Sequence, residues 1–195
     1  MAGNADIGPD SEPDFARLDA AYAELTRGEA SRAIEQLREL EGRGSALAPL
    51  YLGHAHLRGN GLSQDIEKAI QFFLLSAKSG NASAKYNLGV VLDRKGEKAE
   101  SQRWFQSAAS EGHGPSLYQM YKAHRATDCD KALAYLQAAA GKHEAFAKRD
   151  LLRLACKGQF GLARQIRALL FFPFATLAGV AALARKLYTG EIERL

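Results

Sequence analysis

The chain has 195 residues, 47% of them hydrophobic, with only five prolines and a net charge of +4. That length gives one ordinary domain and a short extra segment, and the wealth of Ala and Leu favours helix over strand. The mild excess of base gives no argument for nucleic acid, and two cysteines without paired spacing, Cys129 and Cys156, support neither a disulfide framework nor a zinc site and point to a reducing compartment.

In chain order, residues 1–13 come first as a lead-in. Residues 1–15 carry Asp6, Asp10, Glu12 and Asp14 with no base, among Gly, Asn, Ser and Pro. The stretch has neither the basic start nor the apolar run of a signal peptide, and its composition is that of a disordered segment. A first unit follows with Gly28, Ala33-Ile34, Leu37 and Gly44. The next runs from Ala48 to Gly80 on the frame Ala48, Leu52-Gly53, Gly59, Gly61, Asp65, Lys68-Ala69, Phe72, Ala77 and Gly80. The frame returns from Ala84 to Gly112 as Ala84, Leu88-Gly89, Leu92, Gly96, Trp104-Phe105, Ala108-Ala109 and Gly112. The front halves align at an offset of 36 and the back halves at 32, so the four missing residues fall in the turn between two helices. A further unit spans His113 to Gly141, with Met120-Tyr121, Lys131-Ala132, Tyr135 and Ala139-Ala140, and a degenerate one begins near Ala147 with Leu151 and Leu154.

Each unit reads as a helix pair. Ala48, Leu52 and His56 lie four apart on one stripe of the first helix, here called helix A, and Ala69, Phe72, Phe73, Ser76 and Ala77 form the stripe of the second, helix B. Gly53 and Gly89 lack a side chain, so helix B can approach closely there. Asp65 suits the N-cap of helix B, and Gly80, Gly112 and Gly141 suit left-handed C-caps. One pair cannot bury its apolar face alone, whereas stacked pairs can.

The frame from Ala48 through Gly59-Asn60-Gly61 and Asp65 to Gly80 resembles a Sel1-like repeat, whose mark is the longer inter-helix loop Arg58 to Gln64. Ala84 to Gly112 has the tighter spacing of a tetratricopeptide repeat. The sequence departs from the family where His56 stands for the usual Tyr and Met120-Tyr121 for Leu-Gly. The resemblance covers roughly residues 15–157 and implies an all-α protein, an α-α superhelix or solenoid of about four helix-turn-helix repeats. The expected domains are therefore the lead-in 1–13, the repeats 14–157 and a hydrophobic C-terminal helical segment 158–195.

Sequence chemistry is sparse. His54 and His56, two apart on a helix, point about 200° from one another and cannot jointly hold a metal. Asp128 and Asp130 flank Cys129 and disfavour its thiolate, and Cys156 sits in an apolar frame. Gly59-Asn60-Gly61 follows a helix and lacks the Gly-Lys-Ser/Thr of a phosphate loop. No catalytic motif is present, so no enzyme, cofactor or metal is expected.

The resemblance implies instead a groove lined by the A helices. Its positions are Tyr51, His54 and Arg58, then Tyr86, Asn87 and Arg94, then Tyr118, Gln119, Lys122 and Arg125. Amides suit an extended peptide backbone, Arg and Lys suit carboxylates, and tyrosines give contact area at low entropic cost. The expected partner is a peptide or protein of acidic character, against the plainer reading of a solvated helix face. Bacterial Sel1-like proteins imply an adaptor acting by protein contacts.

Residues 168–184, ALLFFPFATLAGVAALA, form an uncharged run of seventeen residues. As a helix it would be about 26 Å long, against roughly 30 Å for a bilayer core. Leu169, Leu170, Phe171, Phe172, Phe174, Leu177, Val180 and Leu183 are its candidate membrane or docking residues. Three readings stand: a membrane anchor with six bases between Lys148 and Arg167 on the cytoplasmic side, a cap on the last repeat, or a docking helix. The expected location is the cytoplasm, with attachment to the inner face of the cytoplasmic membrane if the run is an anchor. An alternative role is that of accessory subunit in a membrane-bound envelope, exopolysaccharide or secretion complex.

Overall fold

Apolar residues at helical spacing, punctuated by glycines, give the described part of the chain an all-α fold. The computed structural model describes residue 12 and residues 14–156. Among them are nine helices: α1 Phe15–Arg27, α2 Ala30–Gly42, α3 Ala48–Arg58, α4 Ile66–Lys78, α5 Ala82–Lys95, α6 Lys98–Ser110, α7 Gly114–His124, α8 Cys129–Gly141 and α9 Ala145–Cys156. From α1 to α6 they follow the repeat frame as the pairs α1–α2, α3–α4 and α5–α6, so the weakly legible first unit is a complete pair. The apolar run 168–184, with all its candidate membrane or docking residues, lies outside the described residues. Among the described residues no helix is long and apolar enough to cross a membrane.

The chain divides into two compact units, Met1–Met120 and Tyr121–Leu195, with the boundary inside α7. In the first unit consecutive helices pack on one another from α1 through to α6, and α1 also reaches α3. Leu18, Ala21 and Leu25 of α1 are buried, as are Leu37 and Leu40 of α2 and Leu52 and Ala55 of α3. In the second unit α8 packs on α9, burying Ala132, Leu136 and Ala139 of the former and Ala147 and Leu151 of the latter.

Helix A and helix B meet at the glycines. A Cβ placed on Gly53 would lie 2.6 Å from Phe73 Cε1, and one on Gly89 would lie 2.7 Å from Phe105 Cε1. The same contact thus recurs in α3·α4 and in α5·α6, with the ring lying against bare backbone. Buried hydroxyls reinforce the pairing: Ser76 Oγ donates to the Ala46 carbonyl at 2.8 Å, and Ser101 Oγ donates to the Gly89 carbonyl at 2.7 Å. Asp65 caps α4 by accepting from the Lys68 N–H at 3.0 Å. Asn81 does the same for α5, accepting from the Ala84 N–H at 2.9 Å.

One cap departs from expectation. Gly80 and Gly112 are left-handed, with φ of 90° and 81°, but Gly141 is the last residue of α8 and the left-handed position falls on His143, φ 62°. The Ala-Ala-Gly sequence imitates the earlier helix ends, while α8 itself continues to Lys142 at its C-cap.

Candidate partner-binding face

The A helices α1, α3 and α5 present a connected set of side chains in the first unit. Tyr22 of α1 stacks on Tyr51 of α3, with ring centroids 4.5 Å apart and planes 23° from parallel. One turn further along α3, His54 Nε2 lies 3.2 Å from Asn87 Nδ2 of α5, so the amide donates to a neutral imidazole. The His54 ring meets Phe73 edge-on at 5.3 Å, placing it above the aromatic that fills the space at Gly53. Its Nδ1 is buried with no hydrogen-bond partner. Another turn on, Arg58 is exposed at the end of α3, and Arg94, its equivalent at the offset of 36, is exposed at the end of α5. Neither guanidinium forms an ion pair with another described residue. Basic side chains at these ends also complement the helix dipoles, and they are free to meet an external carboxylate.

Electrostatics keep the inner part of this face neutral. Burial, and secondarily the Arg58 charge, lower the His54 pKa from 6.5 to about 4. Burial raises the Tyr51 phenol, helped by Tyr22 and by the charges of Asp19 and Glu12. His56 projects elsewhere: it is buried, stacks on Phe72 at 5.5 Å, and is pushed down by burial and then by Lys68. The two histidines thus serve different neighbours, and among the described residues no group of His, Cys, Asp and Glu could hold a metal ion.

The low His54 pKa has a consequence for stability. Because the unfolded imidazole binds a proton near pH 6.5 and the folded one only near 4, stability is fully present above about pH 6.5 and falls as pH drops through that window. At pH 4.5 the loss should be about 2 kcal/mol relative to pH 7.5, because each tenfold difference in proton affinity between the folded and unfolded chains is worth roughly 1.4 kcal/mol. Chemical denaturation at both pH values should show this difference between the wild type and His54→Gln, which keeps an amide for Asn87. Equal pH dependence in the two chains would remove His54 as the cause.

Tyr86 is half-buried, with its ring 5.7 Å from that of Phe105 and 5.3 Å from that of His113. At the offset of 36, Tyr86 corresponds to Leu50 and Asn87 to Tyr51. Tyr118 and Gln119 are half-buried on the part of α7 in the first unit, and Lys122 and Arg125 are exposed in the second. Cys129 is exposed at the start of α8, where Asp128 accepts from the Lys131 N–H at 3.0 Å.

Two residues of the face escape sequence reasoning. Tyr22 sits in a helix without the Leu-Gly frame. Glu12 precedes α1, yet it is only 5% exposed and its Oε2 accepts from the Ala46 N–H at 3.2 Å. Its seat depends on a contact across 34 positions of sequence, which no local pattern announces.

The model of the Sel1 repeat matches residues 46–81, 82–113 and 125–142. The first two matches cover α3 with α4 and α5 with α6, and the third centres on α8. No curated protein matches the sequence significantly. Among solved structures, a Sel1 repeat protein from Oxalobacter formigenes is similar at 21% identity and a TM-score of 0.69, over 87% of this chain and 75% of that one. A protective antigen of uropathogenic Escherichia coli strains, described as displaying an SLR fold, is similar at 19% identity and a TM-score of 0.68, over 90% of this chain. The match spans only 41% of that antigen's length. An immunity protein from Pseudomonas aeruginosa is similar at 19% identity and a TM-score of 0.59, over 87% of this chain and 68% of that one. With the recurrent glycine–phenylalanine contact, the long loop after α3 and the matched segments together, the chain carries Sel1 repeats over residues 46–81, 82–113 and 125–142 and has the helical-repeat fold of such proteins.

Proposed function

We propose that this protein is a non-catalytic scaffold that binds a protein partner through an acidic segment on the A-helix face of the first unit. The observation that carries the reading is the order along that face: the Tyr22–Tyr51 stack, the His54–Asn87 pair, then the ion-pair-free Arg58 and Arg94. Flat aromatic surface, a neutral polar station and two guanidiniums suit an extended acidic segment, because tyrosines lose little entropy on binding and guanidiniums pair with carboxylates in a fixed fork. Similar folds occur in proteins named an immunity protein and a protective antigen, and neither name is that of an enzyme. The apolar run 168–184 is where such a scaffold would meet a membrane or a membrane-bound partner, in line with attachment at the inner face of the cytoplasmic membrane.

Reversing both charges, Arg58→Glu with Arg94→Glu, should leave the far-ultraviolet circular dichroism and the unfolding midpoint near those of the wild type. It should reduce capture of the native partner by at least about tenfold, since each charge-assisted contact contributes on the order of 1 kcal/mol and reversal adds repulsion. Undiminished capture by the folded variant would rule out this face as the acidic-partner surface.

A further inference from the structure

His54 stands within the candidate face, yet neither of its ring nitrogens is left for a partner. Nε2 is engaged by the Asn87 amide at 3.2 Å, and Nδ1 is buried without a hydrogen-bond partner. The ring meets Phe73 edge-on, at 5.3 Å with the planes 74° apart, which holds it against the aromatic that fills the space at Gly53. A buried nitrogen left unpaired costs stability. A Leu in this place would lie on Phe73 without that cost. Packing therefore gives no reason for an imidazole at position 54. What the imidazole supplies is an acceptor for Asn87, and burial keeps it neutral at pH 7, so that the acceptor is present.

Asn87 is placed differently. It is half-buried, and its side chain makes no hydrogen bond with a described residue other than His54. An amide carries two N–H donors and a carbonyl acceptor. With one N–H held by His54, the other N–H and Oδ1 remain on the same planar group. A donor and an acceptor so joined complement the carbonyl and the N–H of an extended chain. Without a fixed neighbour, the amide can turn over and exchange the two. A neighbour that only accepts selects one orientation.

We propose that His54 is a positioning residue for partner binding: it fixes the Asn87 amide in the orientation that pairs with the partner's backbone, and makes no polar contact with the partner itself. This deepens the acidic-partner reading above and rests on it. Pairing at Asn87 sets the register of a bound segment between the Tyr22–Tyr51 stack and the two arginines that answer its carboxylates.

The test uses full-length chains and a fluorescein-labelled octaglutamate probe, read by anisotropy at low ionic strength, where exposed charges are least screened. An acrylic acid octamer with the same label has carboxylates but no backbone amides. For octaglutamate, Asn87→Ala should weaken binding about tenfold, the loss expected for two neutral hydrogen bonds, and His54→Leu about fivefold. The double variant should be no weaker than Asn87→Ala alone, because a residue that acts only through another adds nothing once that other is gone. His54→Gln offers its own carbonyl to the Asn87 amide and should bind within about twofold of the wild type. The acrylic acid octamer should respond to none of these changes by more than about twofold, since it has no backbone to pair. Arg58→Glu with Arg94→Glu should abolish binding of both probes. His54→Met replaces His54→Leu if the latter loses its helical circular dichroism. The positioning role is overturned, and the acidic face stands, if the arginine reversal abolishes binding but any of three results appears. These are an unchanged affinity in His54→Leu, a loss in His54→Gln as large as in His54→Leu, or a double variant that loses the product of the single effects, about fiftyfold. If the arginine reversal leaves binding intact, or no chain binds either probe, both readings fall.

Discussion

Gly89→Glu should cost more than about 4 kcal/mol and leave most of the chain unfolded, since overpacking a core position costs about 1–3 kcal/mol and burying an unpaired carboxylate adds several more. The ring of Phe105 lies where a Cβ would be, at 2.7 Å, and the Gly89 carbonyl accepts from the buried Ser101 hydroxyl. Neither neighbour is the loose end of a flexible side chain. Domain stabilities are only about 5–15 kcal/mol, so a loss of this size dominates the folding equilibrium. Gly89→Ala isolates the steric part, at about 1–3 kcal/mol, and combining it with Phe105→Leu should give less than the sum of the two single costs. Urea titrations followed by circular dichroism measure all three chains. Strict additivity would show that helix A and helix B do not meet as described.

Gly61→Ala should cost about 2–5 kcal/mol, from about 1–2 kcal/mol of left-handed backbone strain and about 1–3 kcal/mol of overpacking. Gly61 has φ 71°, and a Cβ there would lie 1.9 Å from the Ala30 Cβ and 3.2 Å from Ile34 Cδ1. The long loop after α3 is thus pressed onto the start of α2, which is how it joins one repeat to the preceding one. Gly80 supplies the control, because its φ of 90° is equally left-handed while the space around it is open. Gly80→Ala should therefore show the strain alone. Equal losses at the two positions, in the same urea titration, would contradict the loop contact.

Glycines also show what is legible in the sequence. Gly53 and Gly89 recur at the same place in a repeated frame and Asp65 stands just before helix B, so their roles as close-approach points and cap are legible in the sequence. The frame does not say which aromatic fills the space: Phe73 and Phe105 do so, while Phe72 instead stacks on His56. Gly141 misleads because a short Ala-Ala-Gly match says nothing about where the hydrogen-bonded helix ends. On the face, the offset of 36 carries Tyr51 to Asn87 and Arg58 to Arg94. Tyr86, one residue before Asn87 and so about 100° around the helix, has its ring near Phe105. Tyr22 and Glu12 reach the face through tertiary contacts that a repeat pattern cannot contain.

The proposed partner-binding face runs from the Tyr22–Tyr51 stack to Arg58 and Arg94. A photo-crosslinking amino acid placed at Tyr51, in cells that express the native partner, tests it most directly, with the same residue at Gln71 on the exposed side of α4 as comparison. The account predicts a partner adduct from position 51 that is lost when Arg58 and Arg94 are reversed, and none from position 71. An adduct from position 71 with none from position 51 would contradict it.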